Sequence, residues 1–426
     1  MEERTLEARL AAGELDETLG RLYGGSRLAR SRMRVEEVLA GFKRTFGCEA
    51  EHLFSAPGRT EIGGNHTDHQ HGHVLAAGVD LDILAAVTTN QSGMIRLQSQ
   101  GYPLMVVDLG ELNPRPEEEN TSPALIRGVC ARMAALGCPL QGAGLDVYMT
   151  SNVPGGSGLS SSAAFEVLVG TMLNQLYFDG KCTAVELAQI GQYAENVFFG
   201  KPCGLMDQTA SSVGGVVAID FADPASPVVK QVAVDLEKEG YALCIINSGA
   251  GHADLTGEYA AITDELSAVS AHFGKKVLRD VPEAGFYTAL PQLRREAGDR
   301  AVLRAIHFYA EDRRAVEEAA ALRSGDFEGF LALVRESGRS SACYLQNVIP
   351  TGQTGDQSLM VTVALAEKLL LGRGAARVHG GGFGGTAQAF VPLDLLESFK
   401  AGMEDVLGEG SCHVVTIRPV GGVKIA

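Results

Sequence analysis

The sequence predicts an α+β fold in two domains, and three observations carry that expectation. The chain has 426 residues and 45% hydrophobic content, enough for two cores of about 200 residues each. Short apolar or alternating runs broken by turn residues fill residues 52–108, as in a mixed or antiparallel sheet. Helical patterns then come in blocks instead of alternating one for one with strands, which argues against a doubly wound parallel sheet.

The elements follow in order. Residues 1–34 place Leu6, Leu10, Leu15, Leu19 and Leu22 at near-helical spacing, broken at Gly24-Gly25. This predicts a helical extension that packs on the main body or in an oligomer contact. A helix from Val35 (VEEVLAGFKRTF) stops at Gly47, a C′ glycine. Strands are expected at HLFSAP, HVLAAGV, LDILAAVTT, MIRLQSQ and LMVVDL, a helix over 122–137, and a strand at GLDVYMTS. Two helices follow, LSSSAAFEVLVGTMLNQLY and TAVELAQIGQYAENVFFG. The strands GGVVAIDF and YALCIINSG flank a boundary near residues 222–240, giving domains at 35–225 and 226–426. The second half carries helices over 258–273, 289–296, 313–336 and 357–371, with strands ARVHG, TAQAFV and HVVTIRP.

Composition excludes several function classes. A formal charge of −16 argues against a nucleic-acid or anionic-membrane partner, since both demand a basic face. The start, MEERTLEARL, has no cationic segment followed by an apolar run, and no stretch approaches about 18 uninterrupted apolar residues. Eight cysteines are scattered without a CxxC pair and read as buried thiols of a reducing compartment. The expectation is a cytoplasmic protein, monomer or homodimer.

Four stretches could carry chemistry. In SNVPGGSGLSSSAAFEV, Pro154, Gly155, Gly156, Gly158 and Leu159 lead into Ser160, Ser161, Ser162 and a helix. Glycines let backbone N–H groups close around an anion, the helix N-terminus adds positive charge, and the serines can cap the helix or meet phosphate or metal. An ordinary turn with a serine cap is the plain alternative. In RVHGGGFGGTAQAFV, Gly380, Gly382 and Gly385 satisfy GxGxxG, but a strand follows where a dinucleotide site needs a helix. These glycines are expected to let one backbone pass close to another group. CGLMDQTASSVGG holds Asp207 among apolar residues, either a turn residue or a buried base. NHTDHQHGH packs four histidines and an aspartate into residues 65–73, which raises a metal site as one reading.

Taken together and in this order, the motifs resemble the galactokinase branch of the GHMP small-molecule kinases. SAPGRTEIGGNHTDH is similar to its sugar-binding signature, NVPGGSGLSSSAAFEV to its ATP loop and HGGGFGGTAQAFV to its C-terminal glycine motif. AENVFFGKPCGLMDQ, NSGAGHADLTGEY and RAIHFYAED add support. The resemblance covers residues 36–426 and implies two α+β domains with the active site between them. It implies transfer of the ATP γ-phosphoryl group to the anomeric hydroxyl of galactose. Asp207 falls at the catalytic aspartate and Arg59 at its paired arginine; Asn65, His66, Asp68, Gly204, Asp207 and Tyr259 fall at sugar-contacting positions. Residues 154–156 and 158–162 fall at the ATP loop. Mg²⁺ is expected between Ser162, ahead of Ser161, and Glu195, few protein ligands being needed beside phosphate and water. Glu195 also reads simply as a polar-face helix residue. On this resemblance His69, His71 and His73 become loop and strand residues, and the metal reading of the cluster recedes.

Two departures bear on the substrate. Asn65 stands where the signature carries a glutamate near the sugar 6-hydroxyl, and His69 where it carries a tyrosine. A neutral amide removes repulsion toward a carboxylate at C6, so galacturonate or an amino-galactose is the alternative substrate to galactose. A galactokinase-like sensor without turnover is the alternative of another class. The uninterrupted GLSSSAA and the presence of both Arg59 and Asp207 argue for the enzyme.

Overall fold

The computed structural model describes residues 4–155, 158–201, 203–250 and 255–426. Strands β1 (His52–Gly63), β2 (His73–Asn90), β3 (Met94–Ser99), β4 (Met105–Asp108), β5 (Gly144–Ser151), β6 (Val216–Asp220), β7 (Val228–Val232) and β12 (Val423–Lys424) form one sheet. A second holds β8 (Tyr241–Asn247), β9 (Ala375–Val378), β10 (Thr386–Pro392) and β11 (Cys412–Val415). The helices are α1 (Leu6–Ala11), α2 (Asp16–Tyr23), α3 (Leu28–Phe46), α4 (Ser122–Ala135), α5 (Ser161–Tyr177), α6 (Ala184–Ala194), α7 (Met206–Val213) and α8 (Thr256–His272). They continue with α9 (Glu283–Glu296), α10 (Asp299–Ser324), α11 (Phe327–Ser340), α12 (Ser358–Leu369) and α13 (Leu396–Leu407).

The first sheet runs β12-β1-β2-β5-β3-β4, and β6 with β7 hangs on the first half of β2. The two runs HVLAAGV and LDILAAVTT are one strand, because both faces of β2 are covered and its burial is nearly continuous. Its residues 73–77 pair β6 and residues 83–90 pair β5, while β1 lies along its other edge. Only β3–β5 is parallel. Helix α5 is buried on most sides, touches β1 and packs among α4, α6 and α7. The second sheet runs β11-β8-β10-β9, antiparallel throughout. Its Cys244, Ile246, Val378, Ala387 and Ala389 pack with Leu359 and Phe399 of α12 and α13.

Several expectations need correction. No break occurs at 34/35: α3 runs from Leu28 through Phe46, so the extension ends inside a continuous helix, with Gly47 in the left-handed cap (φ 73°). The first sheet also does not end at residue 225. β7 belongs to it, and β12 returns from the chain's end to pair β1 through Phe54 and Ser55. The expected helix over 313–336 is two helices, because Gly325 (φ 75°) closes α10 and the Asp326 side chain caps α11 through Gly329. Among the cysteines Cys130, Cys138, Cys182, Cys244 and Cys412 are buried as expected, while Cys48 and Cys343 are exposed. No helix among the described residues is long and apolar enough to cross a membrane.

Candidate active site

The site is built on β1. A register shift between Pro57 and Arg59 turns the strand, and Gly58 lies so close to Leu159 that an added Cβ would sit 2.8 Å from its carbonyl oxygen. The Arg59 N–H donates to the same carbonyl at 3.0 Å, and its guanidinium donates to the Gly158 carbonyl. The strand is thus the floor of the Gly-rich loop. From that floor Arg59 meets Asp207, in the first turn of α7, through two parallel bonds: Nε to Oδ1 at 2.6 Å and Nη2 to Oδ2 at 2.7 Å. Burial pushes the Asp207 carboxyl up, but the facing guanidinium outweighs it and holds the group below the usual carboxylate range.

Ser160 has a left-handed backbone (φ 55°) and makes no helix-capping bond. Its hydroxyl donates instead to Asp207 Oδ2 at 2.8 Å. The sequence expectation of a cap at Ser160 fails because its left-handed backbone turns the hydroxyl toward Asp207 instead of the helix N–H groups. Gly156 of the expected ATP loop lies outside the described residues, as do Pro202 and residues 251–254 of the supporting motifs.

Ser162 and Glu195 are brought together: the hydroxyl donates to Oε1 at 3.3 Å. Glu195 is no polar-face residue. It is 3% exposed and opens a π-helical turn, Glu195–Phe199, a device that recurs at functional positions. Lys201 donates to Oε1 at 3.3 Å and Gln208 to Oε2 at 2.9 Å. A hydroxyl beside a carboxylate is a hard oxygen pair that suits Mg²⁺. Lys201 and Gln208 had no separate signal in the sequence beyond lying inside the matching motif.

The sugar signature folds under the third glycine loop. His66 (φ 61°) pairs through Nε2 with the Gly381 carbonyl at 2.9 Å, and burial lowers its pKa to about 4, so the ring is neutral and donates. Asp68 lies against Gly204, where any Cβ would overlap its carboxylate. Tyr259 donates to the Gly382 carbonyl at 3.0 Å, and a Cβ on Gly381 would lie 2.6 Å from its ring. Gly380, Gly382 and Phe383 all take positive φ, which lets the loop lie flat over the signature. This is the close backbone passage expected of that motif. Asp68 bears electrostatically on Arg59, and Lys201 on both Asp207 and Tyr259, so these groups share one neighbourhood.

Asn65 does not join them. It is fully buried, and its amide donates to Glu61 Oε1 and to the Gly380 carbonyl, both at 2.8 Å. Its oxygen accepts from Asn347 at 2.8 Å and Ser341 at 3.2 Å. All its hydrogen-bonding capacity is spent inside the protein, which corrects its assignment as a sugar contact. The remaining histidines diverge. His69 is exposed, His71 holds a left-handed turn, and His73 lies between Asp312 (3.0 Å) and Asp220 (3.3 Å). Among the described residues no three His, Cys, Asp or Glu side chains converge as a metal centre. His379, which the sequence reading passed over, sits under the loop: Nδ1 meets Thr386 at 2.9 Å and Nε2 accepts from the Glu61 N–H at 3.3 Å.

Comparison with known proteins matches the chain to two family models. Residues 40–89 match the galactokinase galactose-binding signature, and residues 124–215 the GHMP kinases N terminal domain. A galactokinase of Streptomyces coelicolor is 34% identical over 374 residues, covering 87% of this chain and 93% of that protein. One from Glaesserella parasuis is 31% identical over 367 residues, covering 86% and 92%. In fold, the chain resembles Lactococcus lactis galactokinase complexed with galactose, with a TM-score of 0.78 at 24% identity over 91% of this chain and 99% of that one. It also resembles Methanococcus jannaschii mevalonate kinase, with a TM-score of 0.61 at 14% identity over 86% and 98%.

Proposed function

This chain belongs to the galactokinase family, and from that premise we propose that it transfers the γ-phosphoryl group of ATP to the anomeric hydroxyl of galactose, releasing galactose 1-phosphate and ADP. The observation that carries the reading is the Asp207 carboxylate clamped between Arg59 and Ser160 at the foot of the Gly-rich loop. Phosphoryl transfer asks for positioning and charge neutralisation more than covalent help, and this pair supplies both. Asp207 accepts a hydrogen bond from the anomeric hydroxyl and aims its oxygen. Held below the usual carboxylate range, it is a weak base, so it takes the proton late, as the oxygen–phosphorus bond forms. Arg59 keeps that carboxylate ionised and faces the charge of the transferring group.

His66, Asp68, Gly204 and Tyr259 hold the sugar; with its Nε2–H given to the Gly381 carbonyl, neutral His66 offers Nδ1 as an acceptor, and the two oxygens of Asp68 accept from adjacent hydroxyls. Pro154, Gly155, Gly158, Leu159 and Ser160 to Ser162 cradle the nucleotide phosphates. Ser162 and Glu195 would hold Mg²⁺, which when bound neutralises phosphate charge. Galactose is favoured over galacturonate because the amide of Asn65, the basis of the uronate reading, is engaged by Glu61 and Gly380. An ADP-release assay with Mg-ATP against galactose, galacturonate, galactosamine, N-acetylgalactosamine and glucose tests this. Turnover highest on galactose is expected; a preference for galacturonate overturns the substrate, and silence on all five overturns the enzyme.

A further inference from the structure

The N-terminal extension packs on the outer face of the first sheet. Leu6, Leu10, Leu15, Leu19 and Leu22 share an apolar cluster with Val35, Val38 and Phe42 of α3 and with Leu53, Leu84 and Ala86 of the sheet. Packing alone accounts for those leucines. It does not account for the polar side chains that the extension sends into the sheet: Arg27 pairs with Asp80, and two others converge on Asp82.

Tyr23 donates to Oδ2 of Asp82 at 2.6 Å, and Arg34 pairs with Oδ1 of the same carboxylate. Asp82 is fully buried in β2, where Ser55 and Arg418 (2.9 Å) complete its cage. The backbone of Asp82 is occupied too. Its N–H donates to Asn152 Oδ1 at 2.5 Å, and its carbonyl accepts from the Asn152 N–H at 3.1 Å and from Arg34 Nη2 at 3.1 Å. Arg34 also reaches the Thr150 carbonyl at 3.5 Å.

Asn152 is the last residue before Val153-Pro154-Gly155, the entry of the Gly-rich loop. The loop therefore stands on two feet: its exit is fixed to β1 through Arg59 and Leu159, and its entry to β2 through Asp82 and Asn152. Gly155 between them meets nothing within 4 Å of an added Cβ. Among the described residues, only the entry foot is bonded to the extension.

Resting on the assignment of this loop to ATP, we propose that residues 5–34 are a positioning element for the nucleotide, acting through Tyr23 and Arg34 on Asp82 and through Asp82 on Asn152. Among the described residues the sugar half of the site has no such link, since His66 and Tyr259 are held by the glycine loop at 380–382 and Asp68 lies against Gly204. A buried carboxylate keeps its place only while its donors are present, so loosening Asp82 frees the foot of the loop before it disturbs the sugar signature.

The test uses the full chain with Tyr23→Phe and Arg34→Met. Calorimetric ADP affinity and steady-state KM values for ATP and galactose are the readouts. Tyr23→Phe, which removes one hydroxyl and keeps the ring, is expected to weaken ADP binding and raise KM for ATP about three- to tenfold, with KM for galactose unmoved. Asn152→Ala is expected to give the same nucleotide-selective loss, and adding Tyr23→Phe to it should cost little more. If Arg34→Met does not fold, Tyr23→Phe carries the test alone. Nucleotide constants unchanged, or ATP and galactose constants that worsen together with Tm, overturn the inference and make the extension packing only. Wild-type turnover on galactose is scored separately, so loss of the assigned reaction is distinguishable from loss of the positioning role.

Discussion

The amide of Asn65 donates to Glu61 Oε1 at 2.8 Å, on the same oxygen that takes Arg377 at 2.6 Å. The position that departs from the family signature thus has its partner four residues upstream on the same strand and turn. A glutamate at 65 would set carboxylate against carboxylate and against the Gly380 carbonyl, in a site buried from solvent. Asn65→Glu is therefore expected to destabilise the protein by about 3 kcal/mol or more in urea unfolding. Exchanging the pair, Glu61→Asn with Asn65→Glu, keeps one amide and one carboxylate in the cage and should recover much of that loss. Wild-type stability for Asn65→Glu together with a shifted sugar preference would put the residue back in the sugar site.

Asp207→Asn keeps the shape beside Arg59 and removes the charge. Turnover in the ADP-release assay is expected to fall at least about 100-fold, with ADP affinity within a few-fold of wild type. Near-normal turnover would remove Asp207 from the reaction.

Gly204→Ala places a methyl where the Asp68 carboxylate now lies. The carboxylate must move, so KM for galactose should rise about tenfold while KM for ATP holds. An unchanged galactose KM would mean that Asp68 does not bind the sugar.

His379 gives a pH prediction. Burial, with Arg59 and Arg377 facing it, holds its pKa well below the ordinary value. The folded protein therefore binds fewer protons here than the unfolded chain, and the stability this group contributes is present above about pH 6.5 and lost as pH falls below it. His379→Gln, which cannot titrate, should narrow the stability gap to wild type between pH 7 and pH 5, by up to about 1.4 kcal/mol per pH unit. A gap that stays constant over that range would show the ring is not held neutral by the fold.

Much of this site was legible in the sequence because its chemistry lies in short contiguous strings. Arg59, Asp207, Ser162 and Glu195 each belong to a motif, and the fold pairs Arg59 with Asp207 and Ser162 with Glu195. What was not legible depends on distant partners. Asn65 is spent on Ser341, Asn347 and Gly380, and nothing in residues 59–73 announces them. The Ser160 hydroxyl turns to Asp207 because its backbone is left-handed, which a serine in a string of serines does not reveal. β7 falls inside the stretch 222–240 that reads as a domain boundary, and β12 spans two residues, too few for any alternation to register.

The 315-residue separation of His66 and Gly381 sets a timetable for the protein's synthesis. A ribosome adding about 5–20 residues per second takes roughly 15–60 seconds to cross that interval. Throughout it the signature has no carbonyls to receive His66 and Asn65, Asp82 lacks Arg418, and the edge of β1 that β12 will cover stands open. The nascent first half leaves the ribosome as an unfinished sheet that cannot close its own polar interior. Its safe completion rests on residues 418–424, so a chain stalled or clipped before them is more exposed to aggregation than one shortened at the surface loops.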